Sequence, residues 1–205
     1  MSDEVRWRQT EDVDTVDNCP DHERKYLFYA RTYTSHGGFT ASRTNDLILN
    51  FKMGRDVAQN RLAHRERAIH RFVAEATTFF TNYPTERFAV VPATTSRPRG
   101  PDADDRLDRV AELLPQKAAN VVAFPVLDTV SRRQPHHEGA VRNVDELVAN
   151  TRLVPAVEQL ADSTRVLVVL DDVLRTGATY ESCRRVLTAR FPTSQIIGVF
   201  WAMAR

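Results

Sequence analysis

Four continuous apolar runs punctuate the 205-residue chain: FAVVP from Phe88, NVVAFPVL from Asn120, RVLVVL from Arg165 and QIIGVFWAMA from Gln195. A strand wet on one face alternates apolar and polar residues. A strand apolar at every position is covered on both faces. Between the runs lie DRLDRVAELL, with Leu107, Val110, Ala111 and Leu114 on one helical face, then VDELVAN and PAVEQLA, then TYESCRRVLTARF. Buried strands alternating with helices predict an α/β fold, a parallel sheet flanked by helices in the Rossmann-like manner. That core is expected over residues 84–205. Residues 1–24 are polar and poorly periodic and read as a flexible N-terminal arm. Residues 25–83 read as a small strand and helix element ahead of the core. KYLFYARTYT predicts a strand, TNDLILNFKM a helix from Thr44 or Asn45, and Leu62, Ile69, Phe72, Val73, Ala76, Phe79 and Phe80 recur at helical spacing up to Pro84.

Composition narrows the function classes. The net charge is +1, so no global field draws the protein to nucleic acid or membrane, and a basic site has to be local. Cys19 and Cys183 are the only cysteines, too few for a disulfide framework, so a reducing cytoplasm is expected. No apolar run reaches the length that spans a bilayer, and the first twenty residues lack the apolar stretch of a signal peptide.

The stretch VLVVLDDVLRTGAT, Val166 to Thr179, carries the chemistry. It predicts a strand ending on Asp171 and Asp172, and in an open parallel sheet ligands bind beyond the carboxyl ends of strands. Acids near a helix N-terminus complement its dipole, which accounts for one of them. Two adjacent carboxylates repel, and a ligand offering hydroxyls, or a metal ion, relieves that repulsion. Downstream, Gly177 permits a tight turn, Thr176 and Thr179 bring hydroxyls, and the amides from Thr176 to Thr179 open the next helix as an anion cradle. Acids for sugar hydroxyls followed by a nest for phosphate describe a ribose phosphate. A Walker A loop and a three-glycine dinucleotide fingerprint are absent, and the acids are not spaced as in D-x-D-x-T phospho-aspartate enzymes.

The stretch resembles the PRPP-binding motif of type I phosphoribosyltransferases, with Arg175 standing where that family usually has a small or acidic residue. The resemblance implies a type I phosphoribosyltransferase-like core. Asp171 and Asp172 are then the catalytic acids, touching Mg²⁺ only indirectly. Arg175, Thr176, Gly177, Ala178 and Thr179 hold the 5-phosphate of PRPP. It further implies a pyrophosphate loop after the first core strand, for which Thr94, Thr95, Ser96 and Arg97 are candidates, and a basic lid after the second, for which Arg132, Arg133 and Arg142 are candidates. His136 and His137 lie in that lid without a clear third metal ligand. Residues 25–83 are the expected hood over the acceptor.

Across residues 25–205 the order of segments is similar to ComF-like competence proteins: TNDLILNFKMGRD, VVPATTSRPRG, HEGAVRN, the PRPP motif and GVFWAMAR. Those proteins often begin with a zinc finger. Here only Cys19 and His22 stand in its place, and two ligands cannot close a tetrahedral site, so the finger is expected to be lost. The implied activity is transfer of phosphoribosyl from PRPP, with Mg²⁺, to a nitrogen acceptor with release of pyrophosphate. The alternatives are a non-catalytic PRPP- or nucleotide-binding protein, a single-stranded DNA binder using Arg55, Arg61, Arg65, Arg67 and Arg71, and a defence or toxin-like effector. A homodimer is expected from the N-terminal strands, and Phe28, Tyr29, Phe39 and Trp201 are expected in the core rather than as stacking platforms.

Overall fold

A computed structural model describes residues 5–10, 16–54, 58–100, 103–133, 143–155 and 166–205. Six strands form one sheet: β1 (Arg8–Gln9), β2 (Leu27–Tyr33), β3 (Phe88–Pro92), β4 (Val121–Ala123), β7 (Val166–Leu174) and β8 (Gln195–Ala204). Their order is β1-β2-β8-β7-β3-β4, parallel throughout except that β1 runs antiparallel to β2. A second, two-stranded sheet pairs β5 (Leu127–Thr129) with β6 (Thr151–Leu153) antiparallel. The helices are α1 (Asp21–Arg24), α2 (Arg43–Phe51), α3 (Gln59–Thr81), α4 (Arg106–Leu113), α5 (Val144–Ala149) and α6 (Ala178–Arg190). The protein is thus a mixed α/β fold around a mostly parallel sheet, as the apolar runs predict.

The two faces of the sheet are distinguished by side-chain alternation. Trp201 of β8 is fully buried, stacked on Phe72 of α3 at 4.8 Å and edge-on to Phe51 of α2. Phe200, one residue earlier, points the other way and meets Tyr180 of α6. So α2, α3 and α4 cover one face and α6 the other.

Three expectations change. Residues 25–83 are not a separate hood: β2 hydrogen-bonds in parallel along β8, and α2 and α3 bury Phe51, Ile69, Phe72 and Phe80 in the same core as β7 and β8. Nothing divides the chain at Tyr83–Pro84, because Phe79, Phe80 and Tyr83 pack on Phe88 of β3. The arm is not loose where it is described. Val16 and Cys19 are buried, Glu23 meets Arg184 of α6, and Trp7 packs on Phe79. Its apolar residues are few and unperiodic, so only the tertiary fold supplies their partners. NVVAFPVL is also two strands. Pro125 has no amide to donate to a ladder, so the chain leaves β3 after Phe124 and re-pairs as β5. Tyr29 and Trp201 are in the core as expected, whereas Phe39 is exposed.

Candidate functional site

The sheet has one topological switch point. From β3 the chain passes through α4 to β4 on one side, and from β7 it passes through α6 to β8 on the other. Helices leaving in opposite directions, on opposite faces, open a crevice at the carboxyl ends of β3 and β7. The β3–β7 ladder ends where the amide of Ala93 donates to the carbonyl of Leu170. Beyond it, β7 runs on beside β8 alone as far as Leu174. The strand therefore passes through Asp171 and Asp172 rather than ending on them, and the two acids stand where β3 has peeled away.

Because they are consecutive in a strand, their side chains point to opposite faces. Asp172 faces α2 and α4 and is only 5% exposed. Lys52, just after α2, places Nζ 3.4 Å from its Oδ1, and Arg106, the first residue of α4, places Nη2 3.1 Å from its Oδ2. That Oδ2 is buried and accepts no hydrogen bond among the described residues. Burial alone would raise the Asp172 pKa, but Lys52 and Arg106 outweigh it and hold the carboxyl below its usual range. Arg106 is itself fixed by an ion pair to Asp104 and by lying 5.5 Å over the Phe51 ring. Behind it, Arg65 of α3 is 2% exposed, donates to the Met53 carbonyl at 3.1 Å and meets Asp105 at 2.6 Å.

Asp171 lies on the α6 face and is half-buried. Its Oδ1 accepts from the amide of Asp172 at 2.8 Å. Burial and the adjacent Asp172 charge push its pKa up to about 7. Six residues on, Gly177 adopts φ +77° and caps α6. A Cβ on Gly177 would stand 2.6 Å from Val16 Cγ1 and 3.3 Å from Cys19 Cβ. The glycine is therefore required by the protein's own N-terminal segment, whose Asn18 amide donates to the Thr176 carbonyl at 2.9 Å. Ala178 begins the helix, Thr176 and Thr179 are half-buried, and Arg175 is exposed.

Across the crevice, Thr94 is buried, Thr95 half-buried, and Ser96 and Arg97 exposed. Thr94 Oγ1 reaches Cys183 Sγ of α6 at 3.9 Å, so the β3 loop touches the helix that carries the glycine turn. Arg133 bridges the two candidate loops. Its guanidinium donates to the Thr94 carbonyl at 3.0 Å and also to the Thr95 carbonyl, and its amide donates to the Ser96 carbonyl at 2.8 Å. Arg132 is exposed, and Arg142, His136 and His137 lie outside the described residues. The stem of the basic loop is closed by Asn150, which accepts from the Ser131 amide at 2.9 Å and donates back to its carbonyl at 3.0 Å. Nearby, Asp128 accepts from the Arg99 and Thr129 amides and from Arg152, which together hold it ionised against burial.

The structure thus brings together Asp171, Asp172, the Thr176–Thr179 turn, Thr94–Arg97 and Arg133. Lys52, Arg65, Asp104 and Arg106 escape a reading of this site by motif, because each meets Asp172 or its partners only through folding. Arg65 and Arg71, two of the five arginines considered for DNA, are engaged with Asp105 and Glu75, so α3 does not present them as a continuous basic row. Asp172 already faces two cations, and among the described residues no three His, Cys, Asp or Glu side chains are placed to hold an ion. A divalent cation accompanying a diphosphate would belong to the substrate. Compared with known protein families and with curated proteins, the chain matches none.

Proposed function

We propose that the protein binds the 5-phosphoribosyl group of PRPP and transfers it to a nitrogen nucleophile with release of pyrophosphate. One observation carries the reading: a left-handed glycine opens a 13-residue helix shortly after an acid pair, at the switch point of a parallel sheet. A helix N-terminus takes phosphate through its amides and dipole, and a carboxylate beside it takes sugar hydroxyls. Thr94, Thr95, Ser96 and Arg97 face the diphosphate across the crevice, where the guanidinium opposes the charge that develops on the leaving group. Arg133 holds that loop in shape through its carbonyls.

Calorimetry with Mg²⁺ and PRPP tests the reading. Wild type is expected to bind, and the Asp171→Asn/Asp172→Asn double variant to bind at least tenfold more weakly. A wild type that shows no heat and no thermal stabilisation with millimolar PRPP or ribose 5-phosphate overturns it. A second reading, a sensor that binds the same ligand without turnover, is favoured by the neutralisation of Asp172. With Lys52 and Arg106 beside it, the acid pair offers less negative charge to an oxocarbenium-like ribose. Pyrophosphate release in the presence of a panel of nucleobases and amines separates the two.

A further inference from the structure

The two aspartates stand in different environments, and the difference points to different work. Asp172 is buried on the α2–α4 face, with a cation on each oxygen, and one of them, Arg106, is held in turn by Phe51 and Asp104. Asp171 is on the opposite face, the one covered by α6, and so on the side from which the glycine turn presents its amides. Its Oδ1 accepts from the Asp172 amide. A ligand whose phosphate sits at the start of α6 approaches Asp171 and is screened by the strand from Asp172.

We propose that Asp171 alone takes the sugar hydroxyls, whereas Asp172 is an internal counter-ion, clamped between Lys52 and Arg106, that positions Asp171 through its backbone amide. The division of labour rests on the phosphoribosyl reading for the ligand on Asp171. Lys52 and Arg106 are then positioning residues. They join the N-terminal half of the chain to β7, and they fix the peptide whose N–H orients the Asp171 carboxylate. Lys52 is the more exposed of the two cations, so it is the one to remove without opening the core.

The experiment measures ribose 5-phosphate and inorganic phosphate affinity by calorimetry, and urea unfolding, on wild type and five variants: Asp171→Asn, Asp172→Asn, Lys52→Met, Lys52→Arg and Asp172→Asn/Lys52→Met. Asp171→Asn is expected to weaken ribose 5-phosphate at least tenfold while moving inorganic phosphate by less than twofold. Asp172→Asn is expected to move both ligands together, leaving their affinity ratio unchanged, and to lower the unfolding midpoint. Asp172→Asn and Lys52→Met are expected to be non-additive in stability, because the two residues share one ion pair that either change removes. Lys52→Arg is expected to restore the wild-type midpoint that Lys52→Met loses. Loss of the ribose preference in Asp172→Asn to the extent seen in Asp171→Asn, in a folded protein, overturns the proposal. So does additivity of the two stability effects. If Asp172→Asn does not fold, Lys52→Met takes its place, and a changed affinity ratio there overturns the proposal equally. If wild type binds neither probe, the phosphoribosyl reading falls and Asp171 loses its assigned role, while the unfolding arms still decide whether Asp172 is a counter-ion.

Discussion

Gly177 is the residue on which the fold and the proposed site depend jointly, and replacing it by alanine separates two costs. The first is conformational. At φ +77° an L side chain crowds the following carbonyl, which costs about 1–2 kcal/mol. The second is steric. The new Cβ would lie 2.6 Å from Val16 Cγ1 and 3.3 Å from Cys19 Cβ, and both neighbours are buried. Overpacking of this kind costs about 1–3 kcal/mol. Gly177→Ala is therefore expected to lose roughly 2–5 kcal/mol, a fall in Tm of about 10 °C for a chain of this size. Gly38 supplies the internal control. Its φ is +61°, and a Cβ there would meet nothing within 4 Å. Gly38→Ala should carry only the conformational cost of about 1 kcal/mol. Urea unfolding of the two variants measures both, and Val16→Ala on the Gly177→Ala background should recover part of the steric cost through a favourable interaction energy. Equal losses in the two glycine variants, or a Gly177→Ala loss below about 0.5 kcal/mol, would refute the argument that the N-terminal segment is packed on the turn.

Three more outcomes are expected. Glu75 is buried and accepts from Nε and Nη2 of Arg31 and from Trp201, so Glu75→Gln should destabilise by about 3 kcal/mol by removing the buried negative charge that faces the Arg31 guanidinium; a loss under 1 kcal/mol in urea unfolding contradicts this. Asp171 keeps its proton in the folded state up to about pH 7 but loses it near pH 4 when unfolded, so the folded state binds more protons in between. Its contribution to stability therefore falls as pH rises from about 4 to 7, and Asp171→Asn should flatten that slope in unfolding curves collected across the window. Burial raises the Cys183 pKa and pushes that of Cys19 up to about 12, so neither thiol should react with a disulfide reagent at pH 8 until denaturant is added; fast labelling of the native protein would contradict the packing of Val16–Cys19.

Local pattern and long-range assembly contributed different things. The runs at Phe88, Arg165 and Gln195 announced buried parallel strands, because a strand covered on both faces has no wet position and therefore no polar alternation. The structure places β3, β7 and β8 there. The helix at 59–81 was legible from its 3.6-residue spacing, and the glycine turn from the left-handed conformation only glycine adopts cheaply. These signals are short-range, written within a dozen residues. What the chain could not announce were pairings that depend on distant segments. KYLFYARTYT reads as a strand, but its place beside β8 is set by the complementary faces of α2, α3 and Trp201. Val16 and Cys19 look like arm residues until α6 gives them a surface. Above all, two adjacent aspartates look equivalent in sequence, and only the sheet makes them unlike. The pleat sends one towards Lys52 and Arg106 and the other towards α6, and charge acts through space rather than along the chain.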